Sequence, residues 1–279
     1  MPAVKKNRVV IKIGSNSLMH PGTGRLDYIK IERLAMELCD LRNRGKDVCL
    51  VSSGAIAVGR QTMGLKRRPK SVQEKQALAS VGQTRLMSIY RNYFEEYNQM
   101  TGQILMTKHT VIDNVSRKNA QNTFEQLFSM GVIPIVNAND TISTHEMQFG
   151  DNDTLSAVVC ALIGAGRLIL MSDIDGLYTA DPHKDSNAKL IDRVEKIDGH
   201  ILALASGETG SDVGTGGMQT KLLAGKIATS SGASMMIVNA EDVRILHQIF
   251  DGVKIGTYFA PNYRDSFDVV DTVSDMIGL

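Results

Sequence analysis

The chain has 279 residues, of which 43% are hydrophobic and 22% are charged. These proportions are ordinary for a globular protein, and the length is sufficient for a large core. The formal net charge of +1 provides no overall field for nucleic acid or an anionic membrane, so we expect neither as a partner. The longest apolar segment, residues 155–166, is too short to span a bilayer. The N-terminus lacks the apolar region of a signal peptide, and we expect a cytoplasmic protein.

Cysteines and histidines give no sign of a metal or redox site. Cys39, Cys49 and Cys160 each lie in an apolar periodic segment, and no two of them form a C-x-x-C pair. Buried, reduced thiols are the simpler interpretation. The six histidines are scattered without the spacing of a metal site. We therefore expect no metal ion bound through the protein's own side chains.

Apolar strands alternate with amphipathic helices along the chain. The first helix begins after Asp27, which can cap it, and ends at Gly45. The strands are predicted at 9–13, 48–51, 104–106, 132–136, 168–171 and 235–238. The later helices are predicted at 73–94, 118–130, 152–164, 218–230 and 243–250, with a further helix start after residue 54. Residues 178–217 are the least regular part of the chain.

This alternation predicts an α/β fold with a largely parallel sheet that is covered by helices on both faces. The absence of a linker or repeat favours one continuous domain. Polar, glycine-bearing loops follow the strands that end at Ile13, Val51, Val136 and Met171. Because ligands of such sheets bind beyond the carboxyl ends of the strands, we expect these loops to share one site.

Lys12 is an unusual residue because it lies within an apolar strand. A lysine in such a strand is costly unless it reaches an anionic partner. The loop that follows, residues 14–17, combines backbone N–H groups with hydroxyl groups that could hold a phosphate. An ordinary strand-to-loop turn would explain this loop by itself, so the argument depends on Lys12.

The segment 214–221 contains a second lysine beside glycines. Three glycines precede a helix whose first turn contains Thr220 and Lys221. A lysine there opposes the helix dipole, and a bound phosphate would offset that cost. Gln219 stands where a dinucleotide-binding fingerprint has its third glycine, which disfavours an oxidoreductase. The alternative interpretation of the segment is a flexible hinge.

Four polar loops are candidates for binding other parts of the substrates. Residues 52–55 suit a carboxylate ligand or a plain helix cap. Residues 137–140 are rich in Asn and Asp, which are also common in turns. Residues 150–153 open an apolar helix that Asp151 or Asn152 could cap, and the remaining carboxylates could orient the two lysines. Residues 172–173 could bind the sugar or base of a nucleotide. Together with Lys12 and Lys221, these loops suggest phosphoryl transfer.

Six motifs in this order resemble those of the glutamate 5-kinase branch of the amino acid kinase family, over residues 9 to 257. The motifs are V-V-I-K-I-G-S, S-S-G-A-I-A-V-G, N-A-N-D, F-G-D-N-D-T-L-S-A, D-G-L-Y-T-A-D-P and G-T-G-G-M-Q-T-K. The resemblance implies a three-layer αβα sandwich with a mainly parallel sheet. It also implies one kinase domain over residues 1–279, in which the first part binds the acceptor and the part from about residue 168 binds the nucleotide. Many relatives carry a further C-terminal PUA domain, for which we expect this chain to end too early.

The resemblance further implies ATP-dependent phosphorylation of the side-chain carboxylate of glutamate, with Mg²⁺ carried by ATP. The residues that contact glutamate are then Ser53, Asp140 and Asn152. Those that contact ATP are Lys12, Ser172, Asp173, Thr215, Gly216, Gly217, Met218, Gln219, Thr220 and Lys221. Catalytic roles belong to Lys12, Lys221 and the organising aspartate Asp153. Proline is expected to inhibit near the glutamate loops, and the chain is expected to form a dimer or tetramer.

Two alternatives to this function are a sister kinase and a sensor. A sister kinase on the same fold would phosphorylate acetylglutamate, aspartate or carbamate. A non-catalytic sensor would bind ATP or an amino acid without turnover. The paired lysines argue against the sensor, which has little use for both.

Overall fold

The computed structural model of the protein describes residues 2–143, 149–182, 184–205, 217–276 and 278. The strands are β1 Lys5–Ile13, β2 Asp47–Ser52, β3 Thr101–Met106, β4 Ile133–Ala138, β5 Ala165–Ser172, β6 Arg193–Val194, β7 Ser234–Asn239 and β8 Thr257–Phe259. The helices are α1 Tyr28–Asn43, α2 Ala55–Thr62, α3 Val72–Glu96, α4 Lys108–Ile112, α5 Asn114–Ser129, α6 Asn152–Leu162, α7 Gly199–Leu204, α8 Met218–Ser230, α9 Ile245–Phe250 and α10 Val269–Asp275.

The strands form one sheet in the order β3-β4-β2-β1-β5-β7-β8-β6. The first six strands in this order are parallel to one another, whereas β8 is antiparallel to β7 and parallel to β6. The prediction of a mainly parallel sheet is therefore confirmed. The loops after β1, β2, β4 and β5 lie at the same edge, as the direction of their strands predicted.

Two hydrophobic layers separate the sheet from its helices. Along β1, Val10 packs into the layer shared with α5, α6, α8 and α10. Its neighbours Val9 and Ile11 pack into the opposite layer, with α1, α3 and α9. This alternation follows from the two-residue period of a strand. The result is the expected αβα sandwich. Lys12 lies two residues after Val10 and therefore faces the same side of the sheet, toward α6 and α8.

Several helix and strand boundaries differ from the predicted ones. Asp27 caps α1 as expected, accepting a hydrogen bond of 3.0 Å from the backbone N–H of Lys30. Helix α5 begins at Asn114, earlier than the predicted 118, because Asp113 accepts a hydrogen bond of 2.7 Å from the backbone N–H of Ser116. The short elements α4, α7, α10, β6 and β8 were not predicted. Within the described ranges, no helix is long and apolar enough to cross a membrane.

Arg8 stabilises the sheet at the edge opposite to the polar loops. Its side chain is 2% exposed, and its guanidinium donates to Glu125 at 2.7 Å, to Asp47 at 3.2 Å and to the carbonyl of Ile163 at 2.8 Å. The same group lies 4.1 Å from the ring centroid of Phe128. One buried cation thus connects β1, β2 and α5. The hydrogen bond from Arg8 lowers the pKa of Glu125 from 4.5 to about 2.

We expect Glu125→Gln to lower the free energy of unfolding by on the order of 1 kcal/mol at pH 7, a figure discounted because this carboxylate is half exposed. A carboxylate with a lowered folded-state pKa stabilises the fold above its ordinary pKa. That contribution is lost as the pH falls through the folded-state value. Urea unfolding at pH 7 and pH 3 should therefore show the difference from wild type shrinking at the lower pH. The exposed Glu96→Gln is the control, and a difference for Glu125→Gln that does not change with pH would contradict this account.

Candidate functional site

Two lysines from distant parts of the chain contact one carboxylate. The Nζ of Lys12, at the end of β1, lies 2.6 Å from Oδ1 of Asp153. The Nζ of Lys221, in the first turn of α8, lies 3.1 Å from Oδ2 of the same residue. Asp153 itself lies in the first turn of α6. The structure therefore brings the three predicted catalytic residues together at the predicted edge of the sheet.

All three side chains are buried. The relative exposures of Lys12, Asp153 and Lys221 are 7%, 1% and 4%. Burial by itself would raise the pKa of Asp153, but the two ammonium groups outweigh it, with Lys12 the larger influence, and the pKa is lowered. The two ion pairs therefore favour the ionised form of Asp153. A group with this charge and burial is stable only where its counter-ions are held close to it.

Asp151, and not Asn152, caps helix α6. Its carboxylate accepts hydrogen bonds from the backbone N–H of Thr154 at 2.7 Å and from its hydroxyl at 3.0 Å. This cap leaves the side chains of Asn152 and Asp153 available on the first turn. Asp153 turns toward the lysines, and Asn152 turns toward the loop after β2. One helix start therefore supplies residues to both sides of the site.

The predicted acceptor residues Asn152 and Ser53 are in contact. The Nδ2 of Asn152 lies 2.8 Å from Oγ of Ser53, 2.8 Å from the carbonyl oxygen of Ser52 and 2.9 Å from Oδ1 of Asn137. Asp140, the third predicted acceptor residue, follows β4 and is partly buried. Burial raises the pKa of its carboxylate. Among the described residues, no hydrogen bond joins Asp140 to Ser53 or Asn152.

Glycines keep the loops after β1 and β2 close together. A Cβ on Gly14 would lie 3.5 Å from Nζ of Lys12, and one on Gly54 would lie 3.6 Å from Cβ of Ser15. Gly54 also has φ of +104°, a left-handed conformation that favours glycine. The small residues that the sequence places here thus leave the amine of Lys12 uncovered by a side chain at position 14.

The predicted nucleotide residues lie on the other side of β1. Ser172 ends β5, and its hydroxyl donates to Oδ1 of Asp173 at 2.9 Å. Helix α8 begins after Gly217 without a side-chain cap, and Thr220 donates to the carbonyl of Gly217 at 2.8 Å. Met218 and Gln219 form the rest of the first turn with Lys221. The predicted ATP residues Thr215 and Gly216 lie outside the described residues.

Sequence reasoning gave no individual role to Asn137, in the candidate loop 137–140, and missed Gln83 entirely. Asn137 and Gln83 are 3% and 8% exposed, and Nδ2 of Asn137 donates to Oε1 of Gln83 at 2.8 Å. Asn137 belongs to the N-A-N-D motif, so its motif was a usable signal. Gln83 lies in the middle of a helix with nothing in the local sequence to single it out.

In the described ranges, no group of three His, Cys, Asp or Glu side chains could hold a metal ion.

Comparison with known proteins agrees with this geometry. The profile of the amino acid kinase family matches residues 7–239. The chain therefore belongs to the amino acid kinase family. Within that family, a glutamate 5-kinase of Carboxydothermus hydrogenoformans is 48% identical over 95% of this chain and 71% of its own length. A glutamate 5-kinase of Clostridium tetani is 49% identical over 90% of this chain and 93% of its own length.

Solved structures support the same fold at lower identity. Carbamate kinase from Giardia lamblia, bound to AMP-PNP, has a TM-score of 0.66 at 16% identity and covers 92% of this chain and 99% of its own. A UMP kinase from Bacillus anthracis has a TM-score of 0.60, also at 16% identity, and covers 92% of this chain and 96% of its own. At this identity the comparison supports the αβα fold alone.

We expect Asp153→Asn to lower the free energy of unfolding by roughly 3–5 kcal/mol, because it removes the carboxylate that two buried ammonium groups share. The double variant Lys12→Met/Asp153→Asn should lose less than the sum of the two single variants, since it removes one of those charges as well. Urea unfolding of all four proteins measures this coupling. Strictly additive losses would contradict an interaction between Lys12 and Asp153.

Proposed function

We propose that the protein transfers the γ-phosphoryl group of ATP to the side-chain carboxylate of L-glutamate, which yields L-glutamyl 5-phosphate and ADP, the first step of proline biosynthesis. The observation that carries this proposal is the pair of ammonium groups of Lys12 and Lys221 held on one buried carboxylate. Identity of 46–49% with glutamate 5-kinases over most of the chain supports glutamate as the acceptor.

The reaction needs charge neutralisation rather than a general base. A glutamate side chain has a pKa of about 4.3, so the nucleophile is already ionised at neutral pH. The difficulty is that this anion must approach an anionic phosphoryl group. The nucleophilic oxygen forms a bond to the γ-phosphorus while the bond to the bridging oxygen of ADP breaks. Fixed positive charge and in-line positioning must therefore supply most of the lowering of the barrier.

Lys12 and Lys221 are suited to this task because their ammonium groups are held before the reaction begins. Each ammonium group contacts Asp153 and carries a positive charge beside it. We propose that both charges bear on the phosphoryl oxygens during transfer. Asp153 is then a positioning residue, which fixes the two amines and prevents their mutual repulsion. Charges fixed in advance act on the transition state without reorganisation cost.

We assign the two substrates to opposite sides of β1. Ser53, Asp140 and Asn152 would contact glutamate, as their position after β2, after β4 and at the start of α6 supports. ATP would lie along residues 172–173 and 215–221, with its phosphates at the start of α8, where Gly217 has no side chain to cap the helix. Backbone N–H groups at a helix start favour phosphate. The single kinase domain with a division near residue 168 is part of this proposal.

Mg²⁺ would enter bound to ATP and would neutralise charge on the phosphates. The residues of the site fit Mg²⁺ that is carried by ATP better than Mg²⁺ that is held by protein side chains alone. Asp153, the most buried carboxylate of the site, is occupied by two ammonium groups. Phosphate oxygens supply the hard oxygen ligands that Mg²⁺ prefers, usually with few protein carboxylates.

The products distinguish the alternatives. The purified protein with MgATP and glutamate should release ADP and form an acyl phosphate that hydroxylamine traps as a hydroxamate. N-acetylglutamate, aspartate and carbamate, assayed side by side, should give little product. A preference for one of these acceptors would assign the site to a sister kinase. Substrate binding without turnover would favour the sensor.

We expect Lys12→Met and Lys221→Met each to lower kcat by about 10²–10³-fold, which corresponds to the loss of one preorganised charge of ~3–4 kcal/mol. The exposed Lys226→Met, on the same helix as Lys221, is the matched control and should keep wild-type turnover. Steady-state kinetics on variants whose folding is verified by circular dichroism make the comparison. Unchanged kcat in either site variant would refute its catalytic role.

The same resemblance supports further proposals on regulation and assembly. We propose that proline competes with glutamate at the acceptor loops, so that inhibition should appear at subsaturating glutamate and disappear at saturation. We propose a homodimer or homotetramer, which sedimentation would distinguish from a monomer. A cytoplasmic location, with small-molecule substrates as the partners, completes this account.

A further inference from the structure

Three amide side chains form a continuous hydrogen-bonded chain from helix α3 to the acceptor loops. Gln83 Oε1 accepts from Asn137 Nδ2 at 2.8 Å, and Asn137 Oδ1 accepts from Asn152 Nδ2 at 2.9 Å. Gln83 and Asn137 are both nearly inaccessible to solvent. Buried amides of this kind are costly unless they are hydrogen-bonded, so the chain has one well-defined arrangement.

Backbone groups determine which way two of these amides face. The N–H of Ala138 donates to Oδ1 of Asn137 at 2.9 Å, and the carbonyl oxygen of Ser52 accepts from Nδ2 of Asn152 at 2.8 Å. A backbone N–H can only donate and a carbonyl can only accept. The oxygen of Asn137 therefore faces its own strand and Asn152, and its nitrogen faces α3. Gln83 must then offer its oxygen.

This arrangement limits what Asn152 can offer to a substrate. Its nitrogen is directed to three protein oxygens, those of Ser52, Ser53 and Asn137. Among the described residues, its carbonyl oxygen makes no hydrogen bond. The oxygen is thus the part of Asn152 that remains for a ligand, and it can only accept. A substrate group that meets it must be a donor, such as the ammonium group of an amino acid.

Close packing of two helices fixes the position of Gln83. Its neighbour Gly82 lies against the backbone of Ala55, so that a Cβ on Gly82 would overlap the carbonyl oxygen of Ala55. A Cβ on Gly59 would likewise overlap the carbonyl oxygen of Leu78. Helices α2 and α3 therefore meet backbone to backbone. This contact holds Gln83 in register with the loop that carries Ser53.

We propose that Gln83 is a positioning residue of the acceptor site: through Asn137 it holds Asn152 with its carbonyl oxygen toward the substrate, and so selects an acceptor that carries a free amino group. This inference rests on the proposed function and adds to it a residue that does not contact the substrate. Without the oxygen of Gln83, the nitrogen of Asn137 has lost its buried acceptor, and the amide competes for other partners.

The test compares Gln83→Met, which keeps the length of the side chain but removes the acceptor, with Gln83→Glu, which keeps an acceptor oxygen. We expect Gln83→Met to raise the KM for glutamate about tenfold and to leave kcat and the KM for ATP within about twofold, a size that corresponds to one lost buried hydrogen bond. Gln83→Glu should restore the KM for glutamate to within about threefold of wild type. The exposed Gln73→Met, on the same helix, is the control.

A second readout separates positioning from a merely structural role. Glutarate has the carboxylates of glutamate without its amino group, so the preference of wild type for glutamate over glutarate reports on amine recognition. This preference in kcat/KM should fall in Gln83→Met by about the same factor as the KM for glutamate rises. An unchanged KM and an unchanged preference would overturn the inference, as would equal losses in Gln83→Met and Gln83→Glu.

The outcomes also separate this inference from the proposed function. A wild-type protein that forms no acyl phosphate from glutamate would refute the function itself. If the wild type is active and Gln83→Met changes neither the KM for glutamate nor the preference for glutamate over glutarate, only the role of Gln83 is refuted. If Gln83→Met fails to fold, Gln83→Ala, which also lacks the acceptor, replaces it in the comparison with Gln83→Glu: a tenfold rise in the KM for glutamate in Gln83→Ala alone supports the inference, and a KM within threefold of wild type overturns it.

Discussion

The ion pairs of Asp153 with Lys12 and Lys221 are the interaction on which the rest of the structure depends. Three charged groups lie together in the interior, and each of them would be costly there without the others. The hydrophobic layers, the cap at Asp151 and the glycines at positions 14 and 54 all serve to bring these groups within contact. The same geometry is what a transferring phosphoryl group requires, because it concentrates positive charge in a place shielded from water.

The order of the strands explains why two different substrates can meet at this point. Strand β1 is central, with β2 and β4 on one side of it and β5 and β7 on the other. The loops after β2 and β4 carry the amide and hydroxyl groups of the acceptor side, and the end of β5 carries Ser172 and Asp173. Helix α6 starts between the acceptor side and the nucleotide side. Its first turn places Asn152 against Ser53 and Asp153 against the two lysines. A single helix start thus couples acceptor orientation to charge placement.

The sequence was sufficient for the parts of this account that depend on regular patterns. Continuous apolar strands predicted the parallel sheet, and its direction predicted that the loops after Ile13, Val51, Val136 and Met171 would share an edge. Strand β8 was missed because three residues are too few for a periodic signal and its antiparallel pairing has no local signature. Gln83 was missed for a different reason: its partner Asn137 lies 54 positions away, and only the folded packing of α3 brings them together. The roles of the individual site residues remain predictions.

The structure of the protein with MgADP, aluminium fluoride and glutamate tests the central claim most directly. The fluoride group mimics the phosphoryl group in transfer, between the acceptor carboxylate and ADP. We predict that Nζ of Lys12 and Nζ of Lys221 both lie within about 3 Å of its fluorine atoms, the length of a charge-assisted hydrogen bond, while both remain in contact with Asp153. A complex in which either nitrogen is directed away from the fluoride group would contradict the proposed chemistry.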